Sequence, residues 1–358
     1  MKNIYIFLLL FSLLLASCAP LANPKSDPIT ILDALGREVL IESAPTRIVI
    51  AGRQTPMLTH FFYLFENAGD KILAIENRTQ TTEEFIKQID KGIGEKYLLE
   101  RGATAEQIVP LNPDVVLIKS AMRETVGLQL EEIGVPVVYV DFESIDDIYR
   151  DINIIAGLLA DQERGDWLIN EYQKMVAEIE NKIKSKDERV KPAVLLLQVE
   201  NEDQTYVFKV PASDWLQTNL IERVGAFPVW KDQIQGGGWS EVNIEQIASW
   251  NPDYFFIVNY NGQAPHIIAE IQDDEIWSQL SAVKNDHIYP FIYDFISWDQ
   301  PDPRWILAYA WLANRLYPDS HPAISVQQQI EYFFSSFYFI EDQQLLSDMK
   351  NRLNEFFR

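Results

Sequence analysis

One segment of this chain occurs twice. Residues 105–118 read AEQIVPLNPDVVLI and residues 244–257 read IEQIASWNPDYFFI. Each copy is a Glu-Gln-Ile, a short helical stretch, an Asn-Pro-Asp and then a continuous apolar run. Pro113 and Pro252 cannot sit inside a central strand, so each Asn-Pro-Asp is a turn. The β-branched and aromatic run behind it has the character of a buried strand. A helix–turn–strand unit of this length in each half predicts two similar lobes.

The rest of the chain fits around the repeat. Apolar runs at 47–51, 71–75, 115–119 and 137–140 alternate with helical segments in the first half, and runs at 193–199, 206–210, 254–258 and 287–291 do so in the second. Continuous β-branched runs separated by helices point to an α/β protein whose mostly parallel sheets are covered on both faces. Between the halves, residues 144–186 contain no proline and only Gly157 and Gly165. Ile148, Ile152, Ile155, Leu159, Leu168, Tyr172, Met175, Ile179 and Ile183 recur at three-to-four spacing, which predicts a long spine helix with Gly165 as its weak point.

The N-terminus carries Lys2, an apolar run from Ile4 to Leu15, and then Leu15-Ala16-Ser17-Cys18. The run is short of the roughly 20 residues a spanning helix needs and has the length of a signal peptide's apolar region. Cys18 is the one cysteine in 358 residues. Small residues followed by this thiol resemble a lipobox, so residues 1–17 are expected to be a lipoprotein signal peptide, Cys18 the lipidation site and 18–28 the tether. The remaining boundaries are 29–143 for the N-terminal lobe, 144–189 for the spine and 190–358 for the C-terminal lobe. Helices within 321–358 are expected to pack on the second lobe.

Charge and cysteine content exclude several classes. The formal net charge is -23, from 53 acidic against 30 basic residues, a surface that repels phosphate backbones and argues against nucleic-acid binding. With no second cysteine, disulfides, thiol catalysis and iron–sulfur clusters have no ligands. His60, His266, His287 and His321 are scattered, without the local spacing of a bare-metal site. Gly92-Ile93-Gly94 lacks the third glycine of a dinucleotide loop. No catalytic pairing stands out, so the chain is expected not to be an enzyme and to hold no resident cofactor.

Thr30 to Val39, Pro45 to Val49, Gly134 to Val138 and both repeat units, in this order, resemble the helical-spine class of solute-binding proteins of ABC importers. That class takes up ferric siderophores, haem, cobalamin and, in some branches, molybdate or tungstate. The resemblance implies two lobes joined by a rigid spine helix, a ligand between them, and an extracytoplasmic monomer held to the membrane by its lipid. It implies a permease and ATPase complex as partner, with Glu106 and Glu245 docking on it. Its cargo is a metal chelate, a ferric siderophore foremost, or an oxyanion. A sensing lipoprotein uncoupled from transport shares the same sequence features.

Ligands of α/β sheets bind beyond the carboxyl ends of the strands. On that ground Arg53, Arg78, Lys119 and Arg123 form a cationic side suited to an anionic ligand. Trp239, Tyr260 and Trp298 supply aromatic faces opposite.

Overall fold

The computed structural model describes residues 27–77, 85–184, 191–202, 205–234, 236–318 and 326–357. Cys18, the leader and Arg78 lie outside these residues. Among the described residues no helix is long and apolar enough to cross a membrane.

The N-terminal lobe opens with an antiparallel hairpin, β1 (Ile29–Leu32) and β2 (Glu38–Ile41). Asp33 closes its turn by accepting from the amides of Leu35 and Arg37, both at 3.0 Å. Behind it stands a five-stranded sheet in the order β5-β4-β3-β6-β7. Its strands are β3 (Ile48–Ile50), β4 (Ile72–Glu76), β5 (Tyr97–Leu99), β6 (Val115–Lys119) and β7 (Val137–Val140). All of its pairings are parallel. Strands β3, β6 and β7 are buried along their whole length, which is why they read as unbroken apolar runs rather than alternating ones. The short edge strand β5 is an apolar run of the same length as β3 but is mostly exposed, and it is not among the runs picked out in the sequence.

The spine differs from the expected single helix. It is two helices, α3 (Ile145–Leu159) and α4 (Gln162–Lys184), counted after α1 (Thr55–Phe62) and α2 (Ala105–Ile108). The break falls at Ala160, not at Gly165. Ala160 adopts a left-handed conformation with φ of 55°, and the Asp161 amide reaches back to Ala156 O at 2.9 Å, a left-handed helix stop. Asp161 then accepts from the Arg164 amide at 3.1 Å and starts the next helix. Gly165 lies inside α4 and serves contact instead. A Cβ there would stand 2.6 Å from the Ala156 Cβ, so its absence lets the two helices pack closely.

The C-terminal lobe is built on a six-stranded sheet with the path β11-β9-β8-β12-β13 and β10 beside β8. Its strands are β8 (Ala193–Glu202), β9 (Thr205–Val210), β10 (Phe227–Pro228), β11 (Ser240–Val242), β12 (Tyr254–Val258) and β13 (Ile288–Pro290). Strands β10, β8, β12 and β13 are parallel, while β9 pairs antiparallel with both β8 and β11. Helix α5 (Ile244–Trp250) leads into β12, and α6 (Trp305–Leu316) packs its Trp305, Tyr309 and Trp311 into the core. Two further helices, α7 (Val326–Tyr338) and α8 (Gln343–Leu353), end the described chain. They do more than cover the second lobe. Phe337 on α7 packs edge-on to Trp167 and Tyr172 of α4, and Tyr338 does so to Phe85 of the first lobe.

Candidate functional site: the facing strand ends of the two lobes

Loops from the carboxyl ends of both sheets meet at the junction of the lobes. His60 of α1, which follows β3, is hydrogen-bonded to Asp302, which follows β13. Phe85, beyond β4, packs on Phe295, beyond β13, with ring centroids 5.9 Å apart. The two sheets therefore present the same edge to each other.

The structure explains most residues of the two repeat units. Gln107 Oε1 accepts from the Thr104 amide at 3.0 Å, and Gln246 Oε1 from the Asn243 amide at 3.3 Å. These reciprocal contacts satisfy donors that a helix start leaves open. Asn112 and Asn251 end the two helical stretches in left-handed conformation, φ 50° and 40°. Asp114 then accepts from the amides of Thr46 and Arg47 at 2.8 and 2.9 Å, and Asp253 from that of Ala193 at 2.9 Å. Each Asn-Pro-Asp thus pins the start of its lobe's central strand, β3 or β8. The glutamates take no part in these contacts. Glu106 and Glu245 hold the same second position of their helices, are exposed, and make no ion pair with a described residue.

In the N-terminal sheet the chain winds outward from β3 in one direction through β4 and β5 and in the other through β6 and β7. The switch point lies between β3 and β6, the place where sheets of this kind receive ligands. Three strand ends converge on it. Lys119, the last residue of β6, donates to Gln54 Oε1, beyond β3, and to Glu143 Oε1, beyond β7. Gln54 and Phe142 both have positive φ, 59° and 57°, a conformation costly for such residues that surrounding contacts must hold. Buried carboxylates supply the hold. Glu76 accepts from the Gly52 and Gly102 amides at 2.7 and 2.8 Å, and Asp151 from the Asp141 and Phe142 amides at 2.6 and 2.8 Å.

The C-terminal sheet has its own switch point, between β8 and β12. Asn259 Nδ2 ties the two strand ends together through Val199 O at 2.8 Å. Tyr260 follows, its hydroxyl donating to Asp299 Oδ2 at 3.0 Å, with Gln217 Nε2 on the same oxygen at 3.2 Å. An aromatic row borders it: Trp239 lies 6.3 Å from Tyr260 and 5.8 Å from Trp215, both edge-on.

Asp299 is wholly buried. Burial pushes its carboxyl up to about 6, against the hydrogen bonds from Ser297, Gln217 and Tyr260 that favour the ionised form. The folded protein then holds a proton that the unfolded chain releases near 3.8. Stability should fall as pH rises through the interval from about 4 to about 6. In Asp299→Asn the fall in melting temperature across this interval should be smaller than in wild type, though not absent, since burial sets Asp151 at about 6 as well. Identical slopes for the two proteins would refute the shift at Asp299.

Behind the strand ends, the lobes are joined by buried charge. Arg304 donates to Asp294 Oδ2 at 2.9 Å and to Asp302 Oδ1 at 2.7 Å, all three within the core. Its guanidinium lies 4.2 Å over the Phe85 ring of the other lobe. Burial disfavours the ionised form of Asp302, yet Arg304 and His60 hold it below the ordinary carboxylate range. Arg164 of α4 adds a further tie, its guanidinium donating to the neutral acceptors Leu64 O of the first lobe and Ser336 O and Phe337 O of α7 at 2.8–2.9 Å.

The residues expected to face the ligand fall into three groups. Arg53 is exposed and makes no ion pair with a described residue, and Trp239 and Tyr260 are half-buried at the C-terminal strand ends. Lys119 and Arg123 are cations already matched: Lys119 by Glu143, and Arg123 by Glu131, 3.5 Å away, which also binds Arg37. Trp298 is a correction. Its amide is held by Ile292 O at 2.9 Å and its side chain is wholly buried, so it presents no exposed ring. Sequence reasoning passed over Glu143, Trp215 and the Arg304 network. A tryptophan opening a helix looks like core, and a paired charge looks like surface, until the partner's position is known.

Residues 71–291 match the family described as periplasmic binding protein. The chain is similar to the molybdate-binding protein MolA of Haemophilus influenzae, 23% identical over 258 residues that span 65% of this chain and 69% of that one. It is similar also to the iron(3+)-hydroxamate-binding protein FhuD of Bacillus subtilis, 22% identical over 291 residues, 77% of this chain and 86% of that one. A solved periplasmic solute binding protein from Veillonella parvula superposes with a TM-score of 0.74 over 91% of this chain and 97% of its own length, at 23% identity. That superposition establishes the two-lobed fold.

Proposed function

Because the chain belongs to the periplasmic binding protein family, we propose that it captures a metal chelate between its lobes and delivers it to an ABC importer. The observation that carries this reading is the matched pair Glu106 and Glu245. They are exposed carboxylates at equivalent helix positions, one in each lobe, suited to bidentate contact with paired guanidiniums of a permease. Delivery then proceeds with the cleft mouth turned toward the pore.

The aromatic row of Trp215, Trp239 and Tyr260 supports a cargo with apolar faces, and Arg53 supports anionic groups on its rim. A ferric siderophore fits both features; haem or cobalamin is the next candidate. The similarity to MolA favours a second reading in which the cargo is molybdate or tungstate. Cys18 carries the lipid that keeps the domain at the membrane, which mass measurement of its tryptic peptide checks: an unmodified thiol rejects the anchor.

A melting-curve panel of the soluble domain against ferric siderophores, haem, cobalamins, molybdate and tungstate tests the cargo. At about 100 times the dissociation constant, a true ligand adds roughly 2.7 kcal/mol. A chelate shifting the melting temperature supports the main reading, an oxyanion alone supports the second, and no shift across the panel rejects both.

A further inference from the structure

We propose that the Glu143 carboxylate holds the place on Lys119 that an anionic group of the cargo takes, so that binding exchanges one carboxylate for another. This rests on the cargo-binding reading above and deepens it by naming the charge class and the residue that recognises it.

Four observations converge. Lys119 stands at the switch point of the N-terminal sheet, where the crevice of such a sheet receives its ligand. Its ammonium is not a surface charge: the side chain is 5% exposed, whereas that of Glu143 is 30% exposed. The counter-ion therefore reaches in from solvent onto a cation fixed in the wall. The two groups that meet Lys119 are Gln54 and Glu143, and backbone strain lies at Gln54 itself and at Phe142, the residue before Glu143. Each strained loop is clamped from behind by a carboxylate unavailable for exchange, Glu76 for the first and Asp151 for the second. The clamps hold both loop backbones without using the Lys119–Glu143 contact, so only the Glu143 side chain has to move.

The alternative is a permanent structural ion pair, and the two make opposite predictions. Removing one partner of a buried structural pair leaves an uncompensated charge and weakens whatever depends on it. Removing a displaceable competitor strengthens binding of the group it competes with. Glu143→Gln keeps a side-chain carbonyl for Lys119 and deletes the competing charge.

The experiment is a calorimetric titration of wild type, E143Q and K119M with three probes: ferric citrate and molybdate, both anionic, and a neutral ferric trihydroxamate. The expected result is that E143Q binds an anionic probe about tenfold more tightly than wild type, as the release of one charge-assisted hydrogen bond implies. K119M should lose that binding, and the neutral probe should not distinguish wild type from E143Q. Equal or weaker binding of both anionic probes by E143Q, or silence of both proteins toward them, overturns the exchange. Equal binding of the neutral probe in that case leaves the transport reading intact. The two ideas therefore fail separately.

Discussion

Reversing Glu106 and Glu245 to arginine together is expected to abolish cargo uptake in cells while leaving cargo affinity unchanged. Placing like charge opposite like charge costs several kcal/mol at an interface. Two such sites far apart add nearly independently, so docking should weaken by more than about a thousandfold. Loss of folding does not account for such a result. Each glutamate contributes to its helix start by about 0.3–1 kcal/mol at most, and neither touches another described side chain through charge. Uptake assays in cells, paired with titration of the purified variant, measure the two effects separately. Single reversals should fall between wild type and the double variant. Uptake that survives the double reversal would remove these residues from the docking surface and with them the observation on which the importer reading rests.

The second large effect belongs to Arg304. Replacing it with methionine conserves much of the volume and strands two carboxylates, Asp294 and Asp302, inside the lobe junction. Deleting one partner of such a buried group costs about 3–5 kcal/mol. Some compensation remains, since Asp294 also accepts from the Ile296 amide at 3.1 Å and Asp302 keeps His60. The loss should therefore fall near the lower end of that range, and the cation–π contact with Phe85 disappears with it. Urea unfolding reads the difference directly. A loss under about 1 kcal/mol, the size of an exposed pair, would mean that the network is not the fastening between the lobes. His60 and Asp302 are 242 positions apart in sequence, so this fastening ties the first lobe to the last third of the chain. The spine helices are thus one of at least two restraints on lobe rotation.

Several features were legible before any coordinates. The Asn-Pro-Asp turns, the apolar runs behind them and the repeat itself are local: proline excludes a strand, and burial on both faces demands unbroken apolar residues. Both glutamates stood out as matching members of the repeat, and their docking role came from the family resemblance. The helix break at Ala160 was not visible, because neither glycine nor proline marks it and the left-handed residue is an alanine. Asp161, one position on, was the available signal. Trp298 illustrates the opposite error. A tryptophan in a loop after a strand has the look of a binding-site ring, and only the folded structure shows that it is wholly buried.

What the sequence determined by itself is the class of molecule: two α/β lobes about a helical spine, with an acidic surface. Those properties follow from periodicity, turn chemistry and composition, which act over a few residues at a time. The tertiary structure alone decided which charges are spent on one another. Lys119 meets Glu143 because β6 and β7 lie side by side, and Arg304 meets Phe85 because the lobes close on that loop. The strength of a charge depends on what surrounds it in space, and no local pattern along the chain records the neighbour that folding brings.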